Sequence, residues 1–340
     1  MKAMKKFTLT VFCILAGCIF FLSGIWIYFQ KSLDRVELGE GEHVASYQIH
    51  YLMISNDKDT GMWQSVYESA SKEAEEKDAY VELLSPEQMN GYSQADCLKI
   101  GIASQVDGII LEADGSKEEQ HLINEALKEK IPVVTVMTDD TATGRISFVG
   151  LNSYQTGSAY TEQISGMLKA QGTTSVMFLS TSSSKTQETN LVYSQVKKEL
   201  EAQKKTGQSV DLTEYCVDSS ADFDTEEFVR DMFVNDENLP DVLVCMDEVV
   251  TECVYQALID YNQVGNVKVI GFYYSDVILD AIDKEIISSA IALDMDEIGR
   301  YSVNALDEYL SLGHSNNYYS VNQHVITKEN TKDYRTEDEK

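Results

Sequence analysis

A strand-length apolar run followed by an amphipathic helical stretch recurs many times along this chain. Such alternation specifies parallel sheets, because each strand must be returned to the same end of the sheet by a crossover before the next can pair. The first unit is YQIHYLMIS (Tyr47 to Ser55), followed by a helix expected from Met62 to Lys77, with Val66, Tyr67, Ala70 and Ala74 on one face. VELL then precedes a helix near Ser93 to Ser104, GIIL (Gly108 to Leu111) precedes Lys117 to Lys130, and PVVTVM ends at Met137. RISFVG (Arg145 to Gly150) leads into a second series with strands SVMFLS, DLTEYCV, DVLVCM and KVIGF, and helices near Gln187 to Lys204, Thr225 to Phe233 and Val250 to Tyr261. A strand at Ile286 to Ala292, a helix at Met295 to Leu312 and a terminal strand at Tyr319 to Thr327 complete it. Two such blocks in series imply an α/β protein of two doubly wound parallel-sheet lobes. Small ligands bind in such folds at the carboxyl ends of the strands.

Ahead of this body, Phe7 to Phe29 carry no charge, and Trp26, Tyr28 and Phe29 lie at the far end. The stretch is long enough to span a bilayer as a helix. Lys2, Lys5 and Lys6 precede it and place the body outside by the positive-inside rule. Leu15-Ala16-Gly17-Cys18 also reads as a lipobox, at which Cys18 would be lipidated after cleavage. The apolar run continues past Cys18, which favours an uncleaved transmembrane helix over a lipoprotein. Either route leaves the body on the extracytoplasmic face of the cell membrane.

Charge and motifs exclude several functions. The formal net charge is −29, and the first 31 residues hold four lysines and no acid, leaving about −33 on the rest. A surface of that sign repels nucleic acid. GxGxxG after the first strand, GxxxxGK[ST], GxSxG and HExxH are all missing, so no cofactor is implied. His43, His50, His121, His314 and His324 have no partner at catalytic or metal-ligand spacing. Cys97, Cys216, Cys245 and Cys253 form no CxxC pair and read as small buried residues, with a Cys245 to Cys253 disulfide left open. The acidic pairs Asp139-Asp140, Asp222 with Asp224, and Asp294 with Asp296 read as solvated in so acidic a chain. The chain is expected to be a receptor and not an enzyme.

Short motifs in a common order carry a resemblance that spans Tyr47 to Tyr334. They are KEA (Lys72 to Ala74), VDGIIL (Val106 to Leu111), IPVVTV (Ile131 to Val136), VGLNSYQTG (Val149 to Gly157), CMDE (Cys245 to Glu248), VIGF (Val269 to Phe272) and VITKEN (Val325 to Asn330). Together they resemble the ribose-binding branch of the type 1 periplasmic (solute-)binding proteins. Gly157 is expected where a helix enters close to a strand. The resemblance implies three crossings between lobes, with one lobe from 46–151 and 294–312 and the other from 152–293 and 318–327; the residues themselves read as an anchor at 1–31, a polar linker at 32–45 and a loose charged tail at 328–340. It also implies a small-molecule ligand, handed to an ABC permease or reported to a membrane sensor kinase. The family fold also serves lac-repressor-type regulators, but those carry a DNA-binding helix-turn-helix where this chain has its apolar stretch.

Carried over motif by motif, the family's ligand contacts fall on few sugar-binding residue types. The aromatic pair falls on Met62 and Trp63, preceded by Thr60, and the Asp-Arg pair on Met137 and Thr138. The Asn-Asp pair falls on Met246 and Asp247, the aspartate after VGF on Tyr273, and the last glutamine on Leu293 or Asp294. An arginine near the fourth helix has Gln187 as its nearest position. This substitution pattern leads to the expectation of an apolar, aromatic cleft of Trp63, Met137, Met246 and Tyr273, suited to a ligand less hydroxylated than a free pentose or to a partner peptide. With the register one or two positions off, Asn56, Asp139 or Asp294 would line it instead.

Overall fold

A computed structural model describes residues 47–55, 61–86, 92–182, 186–217, 224–235 and 239–335. The expected membrane helix at 1–31, Cys18, the linker, His43, Asn56 and Thr60 lie outside the described residues. Among those described, no helix is long and apolar enough to cross a membrane.

The first sheet is built from β1 (Ile49–Ile54), β2 (Ala79–Leu84), β3 (Gly108–Leu111), β4 (Val133–Val136) and β5 (Ser147–Gly150), with α1 (Gly61–Glu75), α2 (Gln94–Ala103) and α3 (Lys117–Lys128) as crossovers. The second uses β6 (Gly172–Thr181), β7 (Gln208–Val217), β8 (Val242–Cys245), β9 (Lys268–Phe272) and β10 (Ser289–Leu293). Its helices are α4 (Ser153–Met167), α5 (Gln187–Ala202), α6 (Asp224–Asn235), α7 (Glu248–Asp260) and α8 (Asp276–Asp283). The chain then returns through α9 (Met295–Leu312) and ends in β11 (Tyr318–Ser320) and β12 (Gln323–Ile326). Strand orders are β11-β5-β4-β3-β1-β2 and β12-β10-β9-β8-β6-β7. The two sheets therefore repeat one topology, parallel throughout except where β12 runs antiparallel to β10.

Both faces of each sheet are covered, so the inner strands are apolar on both sides. Leu52 and Ile54 of β1 pack with Ile109, Leu111 and Val133 under α2 and α3, while Tyr51 and Met53 face the opposite cluster with α1 and α9. The same alternation sends Val242 and Val244 of β8 to one face and Leu243 and Cys245 to the other. All four cysteines in the body are free thiols, so Cys245 and Cys253 are unbridged.

Three features differ from the sequence reading. The terminal strand, expected in the second lobe, is two strands: β11 pairs with β5 of the first sheet and β12 with β10 of the second. Val321 and Asn322 lie between them, where Val321 N donates to Gly150 O (3.1 Å) and Asn322 O accepts from Asp294 N (2.9 Å). The tail expected to be loose is docked through residue 335, because Arg335 reaches Asp280 (2.7 Å) and Asp283 (2.9 Å) on α8, and the Thr331 hydroxyl bonds Asp283 (2.6 Å). Gly157 meets a helix and not a strand: a Cβ there would lie 2.7 Å from the Gln195 side chain and 3.3 Å from Val192 O on α5.

Candidate functional site

The carboxyl ends of both sheets face the same gap, and the backbone is strained at matching positions on its two sides. After β4 the chain turns through Met137 at φ 62°, and after β9 through Tyr273 at φ 72°. Each residue follows the strand next to β5 or β10, and each N–H still donates across to that neighbour: Met137 to Val149 O and Tyr273 to Ile291 O, both at 3.0 Å. A left-handed turn at a non-glycine residue costs about 1–3 kcal/mol and persists only where its surroundings enforce it.

One side of the gap is apolar. Trp63, Tyr273 and Leu293 are 2%, 3% and 1% exposed and belong to one cluster, against which Met62 and Met137 are partly buried. The Tyr273 hydroxyl lies 3.3 Å from Ser65 Oγ on α1 and so bridges the lobes, and burial raises its phenol pKa. Gly61, the first residue of α1, faces the Tyr273 ring and the Glu248 carboxylate, which sits at the start of α7 in the other lobe. Carboxylates are favoured at such helix N-termini.

Beside this apolar contact opens a polar cavity of about 740 Å³. Its walls include Glu112, Asp114, Thr138, Asp139 and Asp140 from the first lobe and Ser182, Thr186 and Gln187 from the second. Asp139 is held by a two-point contact with Arg145 (Nε 2.6 Å, Nη2 2.7 Å), and the third arginine nitrogen bonds Asn317 O and Oδ1. Asp140 Oδ1 accepts the Ala142 N–H at 2.9 Å, whereas the buried Oδ2 has no partner. Glu188, in the first turn of α5, is likewise buried with Oε2 unpartnered. Burial pushes its carboxyl above the usual range and the Asp139 charge across the gap adds to the rise, while hydrogen bonds, one from the Asp139 backbone, oppose it. Behind this wall Glu119 is fully buried and accepts the N–H groups of Asp114 and Gly115, which fixes the β3–α3 loop. Burial lifts its carboxyl to about 8. A separate cavity of about 570 Å³ lies between α4, α5 and the amino-terminal end of β7, away from the carboxyl ends of the strands.

The structure thus distributes the residues named from sequence. Met62, Trp63, Met137, Tyr273 and Leu293 share the apolar cluster, and Thr138 and Gln187 line the polar cavity. Met246 packs into the second lobe's own core with Tyr160 and Val192. Asp247 caps α7, with Oδ1 accepting Val250 N at 2.8 Å and Oδ2 accepting Thr181 N at 2.9 Å. Asp294 caps α9 through Glu297 N at 3.0 Å. An acid between a strand and a helix has this capping role available in any βα unit. Glu112, Asp114 and Glu188 carry no signal in the sequence; Asp140 reads there as a solvated acid, and Asp139 lines the cleft only on the shifted register. Among the described residues, no group of three or more His, Cys, Asp or Glu side chains is placed to hold a metal ion.

The periplasmic binding protein domain family model matches residues 51–315. The chain belongs to this periplasmic binding protein family. Solved structures share its fold. A sugar-binding protein of a sugar ABC transporter from Bacillus halodurans superposes with TM-score 0.70 at 21% identity, over 84% of this chain and 100% of that one. A solute-binding protein of an ABC transporter from Burkholderia graminis, in complex with D-arabinose, gives 0.74 at 19% identity over 85% and 99%. The XylFII–LytSN complex gives 0.70 at 21% identity over 84% and 99%. A search of curated proteins gives no match.

Proposed function

We propose that this chain is an extracytoplasmic receptor that closes its two lobes on a sugar-sized solute and passes it to an ABC permease. The observation that carries this reading is the cavity of about 740 Å³ at the strand ends, walled by polar side chains from both lobes. Pockets of this size enclose small ligands. Within it, Thr138, Asp139, Asp140 and Gln187 offer donors and acceptors. The stretch Phe7 to Phe29 is read as an uncleaved anchor. Mass spectrometry of the membrane-extracted protein should find residues before Cys18 retained. An acylated N-terminus at Cys18 would replace the helix with a lipid.

Thermal unfolding of the full chain in detergent, against a panel of neutral and aminated monosaccharides, tests the receptor role. A ligand at a hundred times its Kd stabilises by about 2.7 kcal/mol. A panel in which no member stabilises the protein would refute the reading. A sensory role is the second reading, and the likeness to the XylFII–LytSN complex favours it. Loss of ligand-dependent transcription with uptake intact, on deleting the chain, would select the sensor.

A further inference from the structure

Resting on the receptor reading above, we infer that the cleft selects an amine-bearing, cationic solute of monosaccharide size, an amino sugar being the plainest case, with its ammonium group held by Glu188 and Asp140. The two carboxylates come from opposite lobes, are 8% and 6% exposed, and each keeps one buried oxygen without a partner, Glu188 Oε2 and Asp140 Oδ2. Glu188 follows the cavity residues Thr186 and Gln187 and interacts across the gap with Asp139, next to Asp140. A buried anionic oxygen without a donor is unfavourable until a donor, and best a cation, arrives.

The remaining charges are consistent with this. Glu112, Asp114 and Asp139 also line the cavity, and among the described residues no lysine or arginine does. Arg145 is already engaged with Asp139 and Asn317. A bare metal ion would neutralise the acids but leave most of the 740 Å³ unfilled, and the described acids are not gathered at ligating positions. An ammonium group on a hydroxylated ring satisfies both oxygens through charge-assisted hydrogen bonds and leaves the hydroxyls to Thr138 and Gln187.

Calorimetric titration of the full chain in detergent near neutral pH compares D-glucosamine and D-galactosamine with glucose, galactose and their N-acetylated amines. The amines should bind at least about tenfold more tightly than the neutral sugars. Glu188→Gln and Asp140→Asn should each erase most of that ratio by weakening the amines more than the neutral sugars, and an unfolding midpoint close to that of the unaltered protein reports that the variants are folded. Equal or tighter binding of neutral sugars by the unaltered protein overturns the inference and leaves the receptor role standing. So does a ratio that survives both substitutions. Absence of binding by every compound overturns the inference together with the receptor reading.

Discussion

The hydroxyl contact between Tyr273 and Ser65 is a single neutral hydrogen bond between lobes, and its contribution is correspondingly modest. Such bonds contribute about 0.5–1.5 kcal/mol net. Tyr273→Phe and Ser65→Ala should each weaken ligand binding several-fold, and the double variant should be no worse than either alone, as read by calorimetry. Asp247 does more for the fold, since its two oxygens join the end of β6 to the start of α7. Asp247→Ala should cost about 1–3 kcal/mol in urea unfolding. Glu119 gives a pH signature. Its folded-state pKa of about 8 lies above the unfolded value near 4.5, so the folded state binds the extra proton between these values, and stability falls as pH rises through that window. Glu119→Gln keeps an acceptor for Asp114 and Gly115 without a charge to bury. The unfolding midpoint of the unaltered protein should drop relative to this variant from pH 5 to pH 8, and parallel midpoints would contradict the assignment.

At the scale of elements, α1 and α9 pack with their backbones close together at Gly299. A Cβ on Gly299 would fall 2.4 Å from Val66 O and 2.6 Å from Ala70 N, both of them backbone atoms that cannot swing aside. Gly299→Ala should therefore cost about 1–3 kcal/mol, measured by thermal unfolding. Most elements were legible as sequence because buried parallel strands such as GIIL and KVIGF are short runs of apolar and small residues that stand out from their surroundings. Two helices were not picked out: α8 spans only eight residues, and α4 carries Gly157 and Gly166 among small and polar side chains, so its apolar stripe is weak. The candidate site was legible where a motif fixes a strand end, as at Met137 and Tyr273. It was not legible at Glu188, because which lobe-2 residue meets Asp139 depends on how the two sheets face each other. Asp247 and Asp294 were ambiguous for a local reason, since the same position before a helix suits a cap and a ligand contact.

At the scale of the molecule, the chain passes between lobes after Gly150, after Leu293 and between Ser320 and Gln323. These passages lie side by side. Asn322 N and Nδ2 donate to Glu297 at 2.7 and 3.0 Å, and the Tyr318 hydroxyl donates to Leu151 O at 3.0 Å. Short parallel crossings of this kind bend without unfolding either core. Small-angle scattering should show a smaller radius of gyration when a ligand is added to the unliganded protein, and an unchanged radius with a bound ligand would exclude closure. The interleaving of β11 and β12 also bears on how the protein is made. Vectorial emergence from an export channel delivers the first lobe's sheet early but withholds its edge strand until residues 318–320, and the second lobe's edge strand follows at residues 323–326. Neither lobe matures ahead of the other, so a nascent chain stalled before β11 exposes two open sheet edges at once and is at its greatest risk of misassociation just before synthesis of the body is complete.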